Sequence, residues 1–504
     1  MTASSEWTAA QPASSESTGP EAAVTDEPVP VARAPVLERR TGNAPGGMFA
    51  SMHVYNYRLY FFGQSTSVAG TWMQNIAVSW VVLQLTHSAV ALGMTWAARY
   101  LGIVLLGPWG GLIADRSDLR RLLTVTQTCA AALSFILAVL SLTGHLTLGA
   151  LLVIVVLLGL VNVFDGPARQ SFISNLVGRD RLANAIALNS IAMNTARIVG
   201  PGVGGALIAT LGITPCFFVN AFSFGTMVVS LLVMRTAELV RSERETRAKG
   251  QIRAALRYIV GTPTLLAPLV MVFVTGMLTW EFPVTLPLVT TSTFHGDATV
   301  YGALVSCLGA GSIVGAMAAA RRRRLSVRSL SWSSALWGAL ILAAAAAPTL
   351  PVLYVLIALV GAGAVTFNSA AKTMLQLNSA PQLRGRVMAI WSMLWQGTTV
   401  VGAPIVGTAA GAFGARYGLV IGGLAAVVVG VAYGWGVRRR GSRGALVLLA
   451  EQVPDPAGDG DAQRPAEQDG DPDVDPQQLA PPGGSAGQPV GDLTEIDDRK
   501  QDFQ

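Results

Sequence analysis

The sequence predicts an all-α membrane protein with twelve transmembrane helices in two six-helix halves. Three observations point there: a composition too poor in charge for a soluble protein, recurring apolar stretches of spanning length, and arginine clusters confined to alternate connections. Of the 504 residues, 51% are hydrophobic and 13% charged, where a soluble globular chain carries about 25% charged residues. A soluble multidomain enzyme is thereby excluded.

Six of the 29 acidic residues lie in 1–50 and fourteen in 451–504, which leaves nine in 51–450. That span holds 29 of the 35 Lys and Arg, so the body is near +20 while the chain as a whole is +6. The basic residues form short clusters between apolar stretches, not one amphipathic face, and this is a pattern of membrane orientation, not of a nucleic-acid partner. Cys129, Cys216 and Cys307 sit inside apolar stretches without metal spacing and read as small buried hydrophobes.

Residues 1–50, rich in Ser, Thr, Pro, Ala and Glu, are expected to be a disordered cytoplasmic tail. They lack the basic start and apolar run of a cleavable signal peptide, so the first spanning helix is expected to serve as the uncleaved signal. The N-terminal six-helix half is placed at 51–234, with spans near 60–85, 89–113, 122–143, 147–168, 184–210 and 213–234. An Arg- and Glu-rich cytoplasmic linker follows at 235–264. The C-terminal half, 265–440, has spans near 265–290, 300–320, 329–347, 351–371, 387–413 and 417–437, and 441–504 is an acidic, Pro- and Gly-rich tail that cannot bury a core of its own.

Charge supports this count independently. Arg116/Arg120/Arg121, Arg179/Arg181, Arg235 through Arg257, Arg321 through Arg328, Arg384/Arg386 and Arg438 through Arg443 all fall on one side of the predicted topology, and the opposite loops contribute only Arg416. The positive-inside rule then places both tails in the cytoplasm and the protein in the cell membrane. The halves also repeat: Phe164, Asp165, Ala168, Arg169, Pro201 and Gly204 pair with Phe367, Asn368, Ala371, Lys372, Pro404 and Gly407, each 203 residues on. Such an architecture puts a substrate site near the midplane, between the halves.

The stretch GGLIADRSDLRRLL at 110–123 follows the second span with glycines, an Asp and a basic run. It resembles the loop signature of the major facilitator superfamily, with Asp115, Arg116, Arg120 and Arg121 in its charged places and Asp118 where the pattern usually has Gly. Asp115 is read as a latch against the N-terminus of a neighbouring helix, where an anion is favoured. The matching loop of the second half, AAARRRRLSV, keeps the basic run without an Asp and reads as a topology signal that also meets lipid headgroups.

GPGVGG at 200–205, with Gly200, Pro201, Gly204 and Gly205, resembles the helix-five motif of facilitator-superfamily antiporters, which is associated with export; generic small-residue packing also accounts for it. FDGPARQ with RDRLANAIALNS and NTARIVGP, WEFPVTLPL at 280–288 and LRGRVMAIWSMLWQG at 383–397 resemble the exporter subgroup that contains the enterobactin exporter and macrolide efflux proteins. The resemblance covers 51–440 and implies a monomeric secondary transporter whose halves rock around a central cavity.

Charges inside a membrane cost about 2.5–3.5 kcal/mol on insertion scales and are functional candidates by default. Arg99 and Arg197 are expected in the cavity, and Glu281, deep in the seventh span beside Pro283 and Pro287, is the candidate proton carrier. A carboxylate removed from water favours its neutral form and exchanges a proton when water reaches it. A structural ion pair between Glu281 and Arg99 or Arg197 is the alternative. Asp165 and Arg169, one turn apart, are assigned with Asp115 and Arg116 to a cytoplasmic gate.

Trp72, Gln74, Asn75, Trp280, Asn368 and Trp395 are possible substrate contacts, with helix packing and interfacial aromatics as the plainer reading. The body has no GxxxxGK[ST] loop, no paired metal ligands and no nucleophile and base at readable spacing, so no enzyme and no cofactor is expected beyond a proton gradient. The function expected is proton-coupled export of a small amphipathic organic compound, such as a drug, siderophore or secondary metabolite. An importer or lipid translocator on the same fold, and a non-transporting sensor or scaffold working through its acidic tail, are the rivals.

Overall fold

The computed structural model describes residues 47–239, 251–321, 326–380 and 383–450. Most of both expected tails, linker residues 240–250 and the arginines at 322–324 lie outside the described residues, and so do the side chains of Arg179 and of the cluster at 438–443.

Among the described residues the chain is helical throughout. The elements are α1 (Tyr55–Thr86), α2 (Ala89–Arg116), α3 (Leu119–Leu142), α4 (Leu148–Leu176), α5 (Arg179–Leu211), α6 (Thr214–Val233), α7 (Gln251–Gly261), α8 (Pro263–Leu278), α9 (Phe282–Leu288), α10 (Ala298–Ala320), α11 (Val327–Ala345), α12 (Leu350–Asn378), α13 (Arg384–Gly397), α14 (Thr399–Phe413) and α15 (Ala415–Ala450). Residues Met1–Ser442 cluster as one unit, which the following describes.

Eight of these stretches are apolar and long enough to cross a membrane: 89–107, 119–142, 148–176, 214–233, 263–293, 298–320, 350–378 and 415–435. The other four expected spans correspond to α1, α5, α11 and the α13–α14 pair. In α1 and α5 the apolar run is interrupted by Gln64, Gln74, Asn75, Asn184, Asn194 and Arg197.

Local chemistry sets the ends. Ser88, Asp118, Thr147 and Asp297 each accept a hydrogen bond from a first-turn backbone N–H, capping α2, α3, α4 and α10. Asp118, the departure from the loop pattern, is therefore the cap of α3, accepting from Arg121 N at 3.1 Å. Asp118→Ala is expected to cost about 1 kcal/mol, read as a lower melting temperature with transport retained. The connections repeat as well: His87 and His295 take left-handed φ values of 52° and 50° just before α2 and α10.

Two expected spans are not continuous. The seventh is broken between α8 and α9, where Thr279, Trp280 and Glu281 leave the helix, because Pro283 has no N–H to donate to Thr279 O and its ring crowds that turn. Glu281 thus sits at a break rather than inside an unbroken helix. The eleventh divides into α13 and α14 at Thr398, and the expected linker contains α7, whose Ile259 packs with Leu265, Leu269, Leu375 and Val387.

Glycines bring helices to backbone contact. A Cβ at Gly200 would lie 2.7 Å from Trp72 Cβ of α1, and one at Gly204 3.1 Å from Met73 Cα. One at Gly205 would meet Ala298 O of α10 at 2.5 Å and Gly302 Cα at 3.0 Å. A matching contact joins α14 to α2, where a Cβ at Gly407 would meet Ala89 O at 2.7 Å and Gly93 Cα at 3.3 Å. Both lie at the arginine-poor end, with Ser79 Oγ of α1 donating to Pro283 O of α9 at 3.2 Å and Trp80 stacking on Tyr301 of α10 nearby. Gly205→Leu has no room here and is expected to destabilise by about 1–3 kcal/mol, seen as an earlier thermal transition in detergent; an unchanged transition would refute so tight an α5–α10 contact.

Candidate functional site

Three charged side chains with no ion-pair partner among the described residues are drawn together from separate helices. Arg99 lies in α2, Arg197 in α5 and Glu281 at the α8–α9 break, and all three act electrostatically on the phenol of Tyr100. Glu281 is 2% exposed. Its Oε1 has no hydrogen-bond partner among the described residues and lies 3.1 Å from where a Cβ on Gly402 of α14 would stand, with the Thr399 side chain as its polar neighbour.

Each arginine is seated on an indole. Arg99 Cζ lies 5.7 Å from the Trp96 ring centroid and Arg197 Cζ 5.3 Å from that of Trp72, distances at which the ring attracts the cation. Arg99 Nη1 and Arg197 Nε are buried without partners. Trp96 is fixed in turn: its Nε1 donates to Ser79 Oγ at 3.1 Å, and its ring stacks on Tyr100. Because Ser79 donates to Pro283 O, this shelf is tied to the break that carries Glu281.

On the other side of Glu281 a row of rings begins at its neighbour, Trp280. Trp280 meets Trp395 at 4.7 Å between centroids, Trp395 stacks on Trp391 at 6.1 Å, and Lys372 Nζ lies 5.3 Å from the Trp391 centroid. Trp337 closes the row against Trp280 and Phe367. Asn368, one turn before Lys372 on α12, has a buried Oδ1 without a partner, as does Asn75, which shares a face of α1 with Trp72 and Ser79.

Of the expected substrate contacts, Trp72, Asn75, Trp280, Asn368 and Trp395 border these two groups. Gln74 does not. It is buried between α1 and α6, accepting from Asn220 Nδ2 at 2.7 Å. Tyr100, Trp96, Thr399 and Gly402 belong to the site and were not singled out from the sequence.

The expected gate residues divide. Buried Asp165 accepts from Thr126 Oγ1 at 2.9 Å, from Gln127 Nε2 at 2.7 Å and from Arg169, which also reaches Gln64 Oε1. Ser67 closes this network of α1, α3 and α4 by donating to Gln127 Oε1 at 3.2 Å. Asp115 and Arg116 are exposed in the last turn of α2, and Arg120, in the first turn of α3, bridges to α6, its guanidinium donating to the C-terminal carbonyls of Leu231 and Leu232.

A family described as transmembrane secretion effector matches residues 46–443. The chain belongs to this family of the major facilitator superfamily. It is a multi-pass membrane transporter and not an enzyme. A Staphyloferrin A transporter of Staphylococcus aureus is 23% identical over 362 residues, covering 70% of this chain and 90% of the relative. The multidrug efflux pump Tap of Mycolicibacterium fortuitum is 26% identical over 367 residues, covering 71% and 89%. In fold, the chain is similar to a bacterial homologue of the human lysosomal transporter Spinster, solved in an inward-facing, unoccupied conformation. The TM-score is 0.60 at 13% identity, over 76% of this chain and 97% of that one.

Proposed function

We propose that this secretion effector is a proton-coupled exporter of a small amphipathic organic compound, acting by alternating access in the cell membrane with both termini cytoplasmic. Twelve crossings in two six-helix halves, 51–234 and 265–440, would rock about the cavity that holds Arg99, Arg197 and Glu281. The observation that carries the proposal is a buried carboxyl without an ion pair among the described residues, at a helix break that Ser79 ties to the Trp96 shelf on which Arg99 sits. Because neither arginine pairs with Glu281, a proton carrier is favoured over a structural ion pair.

The relatives support the substrate class by name, one being a siderophore transporter and the other a multidrug efflux pump. Asp165, Arg169 and their partners would tie α1, α3 and α4 into one body at the cytoplasmic end, with Asp115 and Arg116 at its rim. In the cycle, Glu281 takes a proton from outside as substrate leaves, then releases it inward as new substrate enters.

Purified protein in liposomes with a trapped pH dye tests this under an imposed proton gradient. Amphipathic compounds added to one side are expected to move protons in the opposite sense to their own flux. Compound movement without protons would sink the coupling; an absence of movement for every drug and siderophore tried would sink the transport reading.

A further inference from the structure

We infer that the compound carried is a zwitterion, with its anionic group on Arg99 and Arg197, its ammonium on Glu281 and its apolar body along the Trp280, Trp395 and Trp391 rings. This deepens the transport reading above and rests on it.

The argument starts from what the cavity leaves unsatisfied. Buried hydrogen-bonding groups without partners cost about 1–3 kcal/mol each, and more when charged. Here unsatisfied groups of both signs are left in one neighbourhood: Arg99 Nη1 and Arg197 Nε as donors, Glu281 Oε1 as acceptor. Arg99 sits on Trp96, Trp96 donates to Ser79 Oγ, and Ser79 donates to Pro283 O two residues from Glu281, so one hydrogen-bonded shelf joins the two signs. A ligand with only an anionic group would satisfy the guanidiniums and leave Glu281; one with only a cation would do the reverse.

The proton exchange proposed above gives a second reason. An anion on the arginines binds better when Glu281 is protonated, since an ionised carboxylate nearby repels it. A purely anionic compound would therefore travel with the proton. An ammonium on Glu281 requires the carboxylate form, so its arrival releases the proton and its departure lets a proton return. Exchange of substrate for proton thus requires the cationic part, and the unpaired arginines require the anionic part. The indoles beside both arginines hold the guanidinium centres 5.7 and 5.3 Å from their ring centroids, and a guanidinium can bind a carboxylate through two N–H groups.

A matched series tests the inference: naphthylalanine as zwitterion, its methyl ester as cation and its N-acetyl derivative as anion. Binding to the purified full-length protein is measured by calorimetry. The zwitterion is expected to bind at least about tenfold more tightly than either analogue, tenfold being about 1.4 kcal/mol. Arg99→Gln and Arg197→Gln are expected to narrow its lead over the ester, with Arg99→Lys keeping part of it, and Glu281→Gln its lead over the N-acetyl compound. Equal binding of the three, tighter binding of either single-charge analogue, or no binding of the zwitterion overturns the inference. The wild-type comparison holds even if a variant fails to fold. Glu281-dependent proton flux driven by other amphipaths would then leave the transport reading standing, and its absence would bring down both.

Discussion

Glu281→Gln is expected to abolish substrate-driven proton movement in liposomes while the protein still folds and inserts. Glutamine keeps the shape of the buried side chain at the α8–α9 break and removes its titrating group. Because Glu281 has no ion pair to lose, the replacement strands no opposite charge, and the burial cost of a carboxylate disappears. The melting temperature is therefore expected to stay level or rise as proton flux falls to the level of empty liposomes. Uphill transport that survives in Glu281→Gln would show that another group carries the proton. Loss of folding together with flux would show that Glu281 is structural.

Asp165→Ala is expected to have the largest effect on stability of the changes considered. Asp165 accepts three side-chain hydrogen bonds, and its removal leaves Arg169 partly buried with only Gln64 to meet it. Breaking a buried pair from one side costs about 3–5 kcal/mol. Asp165→Asn, which keeps an acceptor but no charge, is expected to fall between. Pairing it with Arg169→Gln is expected to recover part of the loss, since neither charge is then stranded. Thermal unfolding in detergent reads all three, and additive losses in the double variant would show that the two side chains act separately.

The sequence displayed these charges because each breaks an apolar run, and a charge in such a run stands out without any alignment. Their surroundings are harder to read. Tyr100 is one of many aromatic residues near helix faces, and only the approach of α5 and of the α8–α9 break makes it the meeting point of Arg99, Arg197 and Glu281. The partners of Asp165 come from α1 and α3, whose rotation one sequence does not set, although Gln64 and Ser67 stand one turn apart and mark a polar face. The same uncertainty of rotation made Gln74 look like a cavity residue when it faces α6. The break at Thr279 to Glu281 had a visible cause in Pro283, but prolines also occur in unbroken membrane helices, as Pro201 does in α5.

In the proposed rocking cycle the two glycine contacts at the arginine-poor end, Gly205 on Ala298 and Gly407 on Ala89, would behave as paired clasps on one lid. Neither side could swing until both released, so the barrier to parting them would be shared. Loosening one clasp is expected to quicken exchange between closed and open forms while the membrane stays tight to ions, and a leak at rest is expected only when both are loosened in the same molecule.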